Sequence, residues 1–307
     1  MLSSIRLTAL ILAFVGMNPA LAAGIDWSKV EAALGRQAAV LPGDVHRFGM
    51  PRGDLEVTLG HVTIRPALAL GAWAAFHPAG DNDAMVMGDL VVTDAEVAPV
   101  MKALREGGVA VTALHNHLVG ERPKIMYIHM GGHGDPVAMA RTIKTAVELT
   151  GTPPPAASVA AEPAELGFDA GAVEAILGRA GSVSGGVLHI GVPRAETLRV
   201  DGMTVPPSMG AGTAINFQPL RDGRVVAYGD FALTGPEVAT AMATLSAHGI
   251  ETMALHNHML GDEPRLFYIH FWGVDDALAL ARGLKAALGE TNAATAADPE
   301  APVAAAR

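Results

Sequence analysis

The spacing of apolar and polar residues along the chain changes several times, and these changes predict alternating strands and helices. Apolar residues from Val97 to Leu104 recur at helical spacing, directly after a capping-box pattern that runs from Thr93 to Glu96. Shorter patterns predict a first helix near Trp27 to Leu34, Val- and Thr-rich strands between Gly43 and Thr93, and closing helices at about 136–149 and 275–288. We therefore predict an α+β fold with a mainly antiparallel sheet packed against helices.

A long segment of this pattern occurs twice. Residues 113–129 read ALHNHLVGERPKIMYIH and residues 254–270, 141 positions later, read ALHNHMLGDEPRLFYIH, with ten of 17 positions identical. Likewise VEAALGR at 30–36 matches VEAILGR at 173–179. A period this long indicates two tandem copies of one globular domain. The predicted domains are 24–149 and 168–290, with a Pro- and Ala-rich linker at 150–167 and a disordered tail at 291–307.

The N-terminal residues have the pattern of an export signal. Arg6 precedes a short apolar run, and Ala20 and Ala22 form a small-residue cleavage pattern. We therefore predict a signal peptide at 1–23 and a periplasmic or secreted protein. The apolar run is too short for a stable membrane span, so none is expected after cleavage.

Charge and cysteine content narrow the possible partners. The net charge is −10 with no cluster of Lys or Arg, which argues against binding to nucleic acid. The chain contains no cysteine, so it can form neither a disulfide nor a lipidated N-terminal Cys. Any metal must then be held by imidazole, carboxylate or amide groups.

Half of the 12 histidines lie in the duplicated segment. Strand alternation places His115 and His117 on one face and turns His129 of the return strand to the same side. If His115 lies opposite His129, their Cβ atoms are about 5 Å apart, close enough for three imidazoles to hold one ion at about 2.0–2.1 Å. The predicted metal ligands are His115, His117 and His129 in the first copy and His256, His258 and His270 in the second. Two separate sites and two sites that face each other both remain open.

The predicted cofactor is a divalent transition metal, with Zn, Cu, Ni, Mn and Fe all open. Glu121 and Asp262 lie in the turn of each duplicated segment. Each could be a fourth ligand, or a catalytic base that acts on metal-bound water. Asp89 and Asp230 could accept hydrogen bonds from the same network or cap a turn.

Four other residues have structural interpretations. Asn116 and Asn257 fall on the apolar face of the hairpin, where a buried amide needs partners, and we interpret them as pins of that hairpin. His46 and His189 are interpreted as counterparts in the two copies that stand alone on strand surfaces.

These residues support three functions. The first is metal binding in an exported tandem-domain protein, the second a metal-dependent hydrolase that acts on a cell-envelope substrate, and the third a non-metal module that binds a glycan or peptide. The duplicated histidine block, together with the preceding Gly-Asp strand and Glu-Val helix, resembles the LppY/LpqO family of exported bacterial proteins. That resemblance implies export and a tandem domain, and it implies no particular activity.

Overall fold

The structure, a computed structural model, describes residues 24–155 and 165–295 of the chain. The predicted signal peptide at 1–23, residues 156–164 of the predicted linker and residues 296–307 of the predicted tail lie outside the described residues. The described residues form a mixed α+β fold with large antiparallel sheets and helices, as the sequence predicts. Within these two ranges, no helix has the length and apolar character that a membrane crossing requires.

Each repeat has the same order of main elements. The first repeat comprises α1 (Trp27–Leu34), β1 (Ala39–Leu41), β2 (Val45–Pro51), β3 (Val57–Leu59), β4 (Val62–Ile64), α2 (Pro66–Ala69), β5 (Gly71–Pro78), β6 (Ala84–Thr93), α3 (Asp94–Glu106), β7 (Ala110–His115), β8 (Ile125–Gly134) and α4 (Pro136–Val147). The second comprises α5 (Ala170–Leu177), β9 (Ser182–Ser184), β10 (Val187–Val192), β11 (Arg199–Val200), β12 (Met203–Thr204), β13 (Thr213–Pro219), β14 (Val225–Thr234), α6 (Val238–Ala247), β15 (Glu251–His256), β16 (Asp262–Glu263), β17 (Leu266–Asp275) and α7 (Ala277–Leu288). Short 3-10 helices span Pro207–Met209 and Gly235–Glu237.

Each repeat has a six-stranded antiparallel sheet. The strand order is β1-β2-β5-β6-β8-β7 in the first repeat and β9-β10-β13-β14-β17-β15 in the second. Helices α1, α3 and α4 pack together on one face of the first sheet, and α5, α6 and α7 do so on the second. The opposite face of each sheet, which carries the histidines, is therefore turned away from its own helices.

The predicted capping boxes are confirmed at Thr93 and Thr234. In each repeat the capping glutamate also forms a salt bridge with an arginine that follows the end of a strand. Arg52 pairs with Glu96, and Arg194 pairs with Glu237, each at 2.8 Å. These pairs tie the start of a helix to a strand end.

Both segments predicted to be irregular begin as folded chain. The amide of Gly151 donates to Glu96 at 2.9 Å, and the amide of Asn292 donates to Glu237 at 2.7 Å. Ala293 also forms a β-bridge with Arg194. Main-chain groups just beyond the predicted ends at 149 and 290 therefore complete the glutamate networks of the two repeats.

The central strands are buried on both faces. Nine of the ten residues of β6 are buried, and so are eight of the ten in β14. Strands that are covered on both sides read as near-continuous apolar runs, as these two do. The helices cover one face of each strand, so the second cover must come from the other repeat.

The two sheets pack against each other through their histidine faces. One buried cluster mixes Leu41, Val45, Met85 and Met87 of the first repeat with Met209, Met259, Leu266 and Tyr268 of the second. Gly210 allows one close approach: a Cβ at that position would lie 2.7 Å from the ring of Trp73. Gln218 Nε2 donates to Thr63 O at 2.8 Å, which adds a polar link. The repeats thus share one interior.

Candidate metal centre

The strand pairing of the histidine hairpin is shifted by two residues from the assumed register, in which His115 lies opposite His129. Ala113 lies opposite His129, and His115 lies opposite Tyr127; the second repeat has the same arrangement. A shift of two residues keeps every side chain on its face. The rings of His115 and His129 therefore still lie 4.9 Å apart, centroid to centroid.

The strands β7 and β15 end at the first histidine of each pair, so the predicted alternation does not continue to residue 118. His117 is nevertheless turned to the same side, where its ring stacks on Tyr127 at 3.2 Å. His258 stacks on Tyr268 at 3.4 Å in the same way. The side-chain amide of Asn116 donates to Leu118 O at 2.8 Å, a bond that pins the chain as it leaves the strand.

All six predicted histidines meet in one cluster between the repeats. The closest rings come from different repeats: His115 and His256 lie 3.7 Å apart, His117 and His270 3.8 Å, and His129 and His258 4.0 Å. Three trios have ligand atoms that all lie within 4.8 Å of one another, namely His115/His117/His129, His115/His256/His270 and His129/His256/His258. The predicted set His115/His117/His129 is one of these trios, whereas the predicted set His256/His258/His270 is not, because its members join trios with His115 or His129. The two predicted sets therefore face each other, and two of the three trios draw on both repeats.

Several of these rings are held by a main-chain acceptor at Nδ1. His115 Nδ1 lies 3.0 Å from Asn116 O, and His270 Nδ1 lies 3.1 Å from Gly229 O. An Nδ1–H that donates to a carbonyl leaves the lone pair on Nε2, which is how metal-binding histidines are commonly oriented.

The Nε2 atoms of His256 and His258 lie 3.1 Å apart, whereas the other four Nε2 atoms of the cluster are buried and without hydrogen-bond partners. They belong to His115, His117, His129 and His270. A buried polar atom without a partner costs about 1–3 kcal/mol. Four such atoms would cost roughly 4–12 kcal/mol, which is as large as the whole stability of a typical domain. The arrangement therefore calls for a group that these nitrogens can bind.

Burial also keeps the imidazoles neutral. It lowers the pKa of His115 to about 4 and that of His270 to about 3. Burial, together with the neighbouring histidines, also lowers the pKa values of His117, His129 and His258 well below the ordinary value of histidine. A neutral imidazole is the form that ligates a metal ion.

Two aspartates flank the cluster on the central strands. Asp89 Oδ2 lies 3.5 Å from His117 Nε2, and Asp230 Oδ2 lies 3.4 Å from His258 Nε2. Burial raises the pKa of Asp230 to about 7, and burial together with the charge of Asp230 raises the pKa of Asp89 well above its ordinary value. Both aspartates thus lie beside the histidines, although among the described residues neither forms a hydrogen bond with a histidine.

Glu121 and Asp262 lie in the turns of the two hairpins and belong to no histidine trio. Glu121 Oε1 accepts from the Ile125 amide at 3.2 Å, and Asp262 Oδ2 accepts from the Leu266 amide at 2.6 Å. Neither residue belongs to a trio or lines the cavity beside the centre. Their placement therefore does not support the predicted role as ligand or base: each carboxylate is engaged in closing its own turn.

A cavity of about 540 Å³ lies between the repeats and reaches Asp89, Asp230 and four of the histidines. On its outer side it is lined by Arg47 and Trp73 from the first repeat and by His189 from the second. The Arg47 guanidinium lies 4.0 Å above the Trp73 ring. Burial lowers the pKa of Arg47 to about 10, which leaves it protonated near neutral pH.

The pairing of His46 with His189 is wrong. Gly49 lies opposite Trp73 and Gly191 lies opposite Ala214, so the residue that matches His189 is Arg47. His46 is buried against Trp27, with ring centroids 3.7 Å apart. Sequence comparison missed Arg47 because it differs between the copies. The run GMPR (49–52), which matches GVPR (191–194), would have given the correct register.

The chain belongs to the family described as Domain of Unknown Function (DUF1259), which it matches over residues 28–149 and again over residues 171–290. The match establishes two copies of this domain and does not extend to the LppY/LpqO resemblance. No curated protein matches the chain.

Two solved structures are similar over most of their length. One is the trimeric bacterial microcompartment shell protein PduB, at 13% identity over 81% of this chain and 87% of that chain, with a TM-score of 0.21. The other is EtuB from Clostridium kluyveri, at 13% identity over 83% and 90%, with a TM-score of 0.19. Scores this low carry no argument about fold or function.

Proposed function

We propose that this protein binds one divalent transition-metal ion per chain in the histidine centre that its two repeats build together. The observation that carries the proposal is the group of buried Nε2 atoms without hydrogen-bond partners at the meeting point of the sheets. Imidazole nitrogens are common donors to Zn, Cu, Ni and Fe, and the two flanking aspartates would also suit Mn.

The geometry of the trios supports a single ion. Any two trios share one imidazole, which is His115, His129 or His256. A nitrogen that ligates one ion is not free for a second. Three nitrogens around a tetrahedral ion at 2.0–2.1 Å lie about 3.4 Å apart. The trio atoms lie within 4.8 Å of one another, so ring movements of about 1 Å would close them on an ion.

The test is elemental analysis of the purified protein, followed by loading with zinc and measurement of bound metal. Substitution of His115→Ala together with His256→Ala disrupts all three trios, whereas His115→Ala alone leaves His129/His256/His258 intact. We expect one ion in the wild type, retained binding with lower affinity in the single variant, and none in the double variant. His133→Ala, on the exposed end of β8, is the matched control and should bind like the wild type.

Two results would contradict this proposal. Two ions in the wild type, one of which is lost with each single substitution, would indicate separate sites in the two repeats. A melting temperature that does not respond to Zn, Cu, Ni, Mn or Fe would leave the non-metal glycan or peptide module as the better explanation.

A metal-dependent hydrolase is the second candidate function, because the cavity gives a small molecule access to the centre. Asp230 lines that cavity, and Glu121 and Asp262 do not. Turnover of chromogenic esters by the zinc-loaded protein, lost in Asp230→Asn with metal content unchanged, would support catalysis. No turnover, with metal bound, would favour a binding protein.

Export is part of the same proposal. The N-terminal pattern supports cleavage near Ala23, a periplasmic or secreted location and a partner in the cell envelope. Mass spectrometry of the native protein tests this, because a mature chain that still carries Met1 would contradict it.

A further inference from the structure

The cavity is asymmetric although the histidine centre beside it is nearly symmetric. The first repeat contributes Arg47 and Trp73 to its lining, while the equivalent positions of the second repeat hold His189 and Ala214. The cavity therefore has a cationic side chain, Arg47, on the side of the first repeat and no Lys or Arg on the side of the second. Such an arrangement gives a ligand with one charged end a single preferred orientation in the cavity.

No direct salt bridge joins Arg47 to another described residue, and the carboxylate whose charge acts on it is that of Asp89. The Nε of Arg47 is buried and has no hydrogen-bond partner. The face of the guanidinium rests on Trp73, which leaves the donor edge available to a ligand. His189 is different, because its Nδ1 lies 2.7 Å from Asn216 Oδ1. The His189 ring thus has a hydrogen-bond partner at Nδ1, whereas the Nε of Arg47 has none.

Trp73 and the metal centre lie in one row of the first sheet. Trp73 pairs with Asp89, and Asp89 pairs with His129. Neighbouring strands are about 4.8 Å apart, so the backbone of Trp73 lies roughly 10 Å from that of His129. A small organic molecule can bridge this distance. With an ion bound at the imidazoles, the aspartates would be balanced by the metal, and Arg47 would be left as an unpaired cation.

We propose that this cavity binds a small organic carboxylate, whose carboxylate group pairs with Arg47 and whose apolar body lies along Trp73 toward the metal centre. The inference rests on the proposed function, since a bound ion would balance the two aspartates and leave Arg47 as the cation that the ligand pairs with. Guanidinium and carboxylate groups match in geometry, because two parallel N–H donors meet two oxygens.

The cavity favours a carboxylate over a phosphate. Arg47 is the single Lys or Arg among the described residues that line it, and Asp89 and Asp230 at its inner end would repel a dianion. Most of the remaining lining is apolar or glycine, with residues such as Ala69, Leu68 and Pro66. A pocket of this size and composition is typical of sites for small organic ligands.

Isothermal titration of the zinc-loaded protein with benzoate tests the proposal, with acetate and inorganic phosphate as comparison probes. Arg47→Met removes the charge, and Arg47→His copies the residue that the second repeat already accommodates at this position. Arg141→Met, on the exposed face of α4, is the matched control. We expect Arg47→Met to weaken benzoate binding by about tenfold to a hundredfold, because a charge-assisted contact is lost. Arg141→Met should leave the affinity unchanged, and acetate should bind more weakly than benzoate.

The outcomes separate this inference from the metal proposal. Bound zinc is measured before each titration and decides the metal proposal by itself. Benzoate affinity that is equal in wild type and both Arg47 variants, or no benzoate binding at all, overturns the carboxylate site even when zinc is bound. Phosphate binding tighter than benzoate overturns the ligand class. Benzoate binding that depends on Arg47 in protein that takes up none of Zn, Cu, Ni, Mn or Fe supports the carboxylate pocket and refutes the metal centre.

Discussion

Substitution of Gly210 with alanine should weaken the packing of one repeat on the other. Gly210 has φ of +80°, and an added Cβ would meet the Trp73 ring at 2.7 Å. Alanine in the left-handed region costs about 1 kcal/mol, and overpacking at a buried contact typically adds about 1–3 kcal/mol. We therefore expect Gly210→Ala to lower the free energy of unfolding by roughly 2–4 kcal/mol.

Gly202→Ala is the matched control. Gly202 also has φ of +80°, but no atom lies within 4 Å of the position that its Cβ would take. It should lose only the backbone contribution, about 1 kcal/mol. Urea unfolding followed by far-UV circular dichroism measures both variants without depending on the fluorescence of Trp73. The difference between the two losses reports the contact between the repeats.

Equal losses in the two variants would refute this reasoning, because Trp73 would then not lie against Gly210. A second comparison strengthens the assay. Combination of Gly210→Ala with Trp73→Ala should give a loss smaller than the sum of the single losses, since the large ring that causes the clash is gone. An additive double variant would place the two residues apart and remove the basis for a centre shared between the repeats.

Three further predictions concern polar contacts. Burial alone would raise the pKa of Glu237, but hydrogen bonds from Arg194 and two main-chain amides lower it to about 2. The contribution of Glu237 to stability is therefore complete above about pH 4.5 and is lost as the pH falls toward 2. Glu237→Gln should lower the free energy of unfolding, measured by urea titration, by about 2 kcal/mol at pH 6 and by less at pH 3. Tyr228→Phe removes a hydroxyl that lies 2.7 Å from Nδ1 of His117 and helps to orient that ring. Zinc affinity, measured by competition with a chelator, should therefore fall about tenfold. Asn257→Ala, which loses bonds to two carbonyls, one of them in the other repeat, should destabilise the protein about 1 kcal/mol more than Asn116→Ala in thermal unfolding.

Local patterns were sufficient to predict the elements and the histidine face. The capping boxes at Thr93 and Thr234 and the glycine stops act within a few residues, so the helices they start were predictable. The histidines kept their common face because strand alternation survives a register shift of two residues. Such features depend on neighbours in the chain.

The meeting of the six histidines in one cluster depends on contacts between residues about 140 positions apart, which local periodicity does not encode. One signal was nevertheless present. The near-continuous apolar runs of β6 and β14 indicate strands covered on both faces, and a second cover for each sheet had to come from the other repeat. The sequence did not show that Glu121 and Asp262 each accept a hydrogen bond from a main-chain amide of their own turn, because that bond depends on the conformation of the turn.

The match of Arg47 with His189 has a consequence for how such a protein could change. A homodimer of one repeat would be isologous, so every substitution would appear on both sides of its twofold axis. Here the two repeats belong to one chain and have separate sequences, so a residue can change in one repeat without changing in the other. The histidines can therefore keep their twofold arrangement while a single substitution, such as the one that distinguishes residue 47 from residue 189, polarises the space beside them.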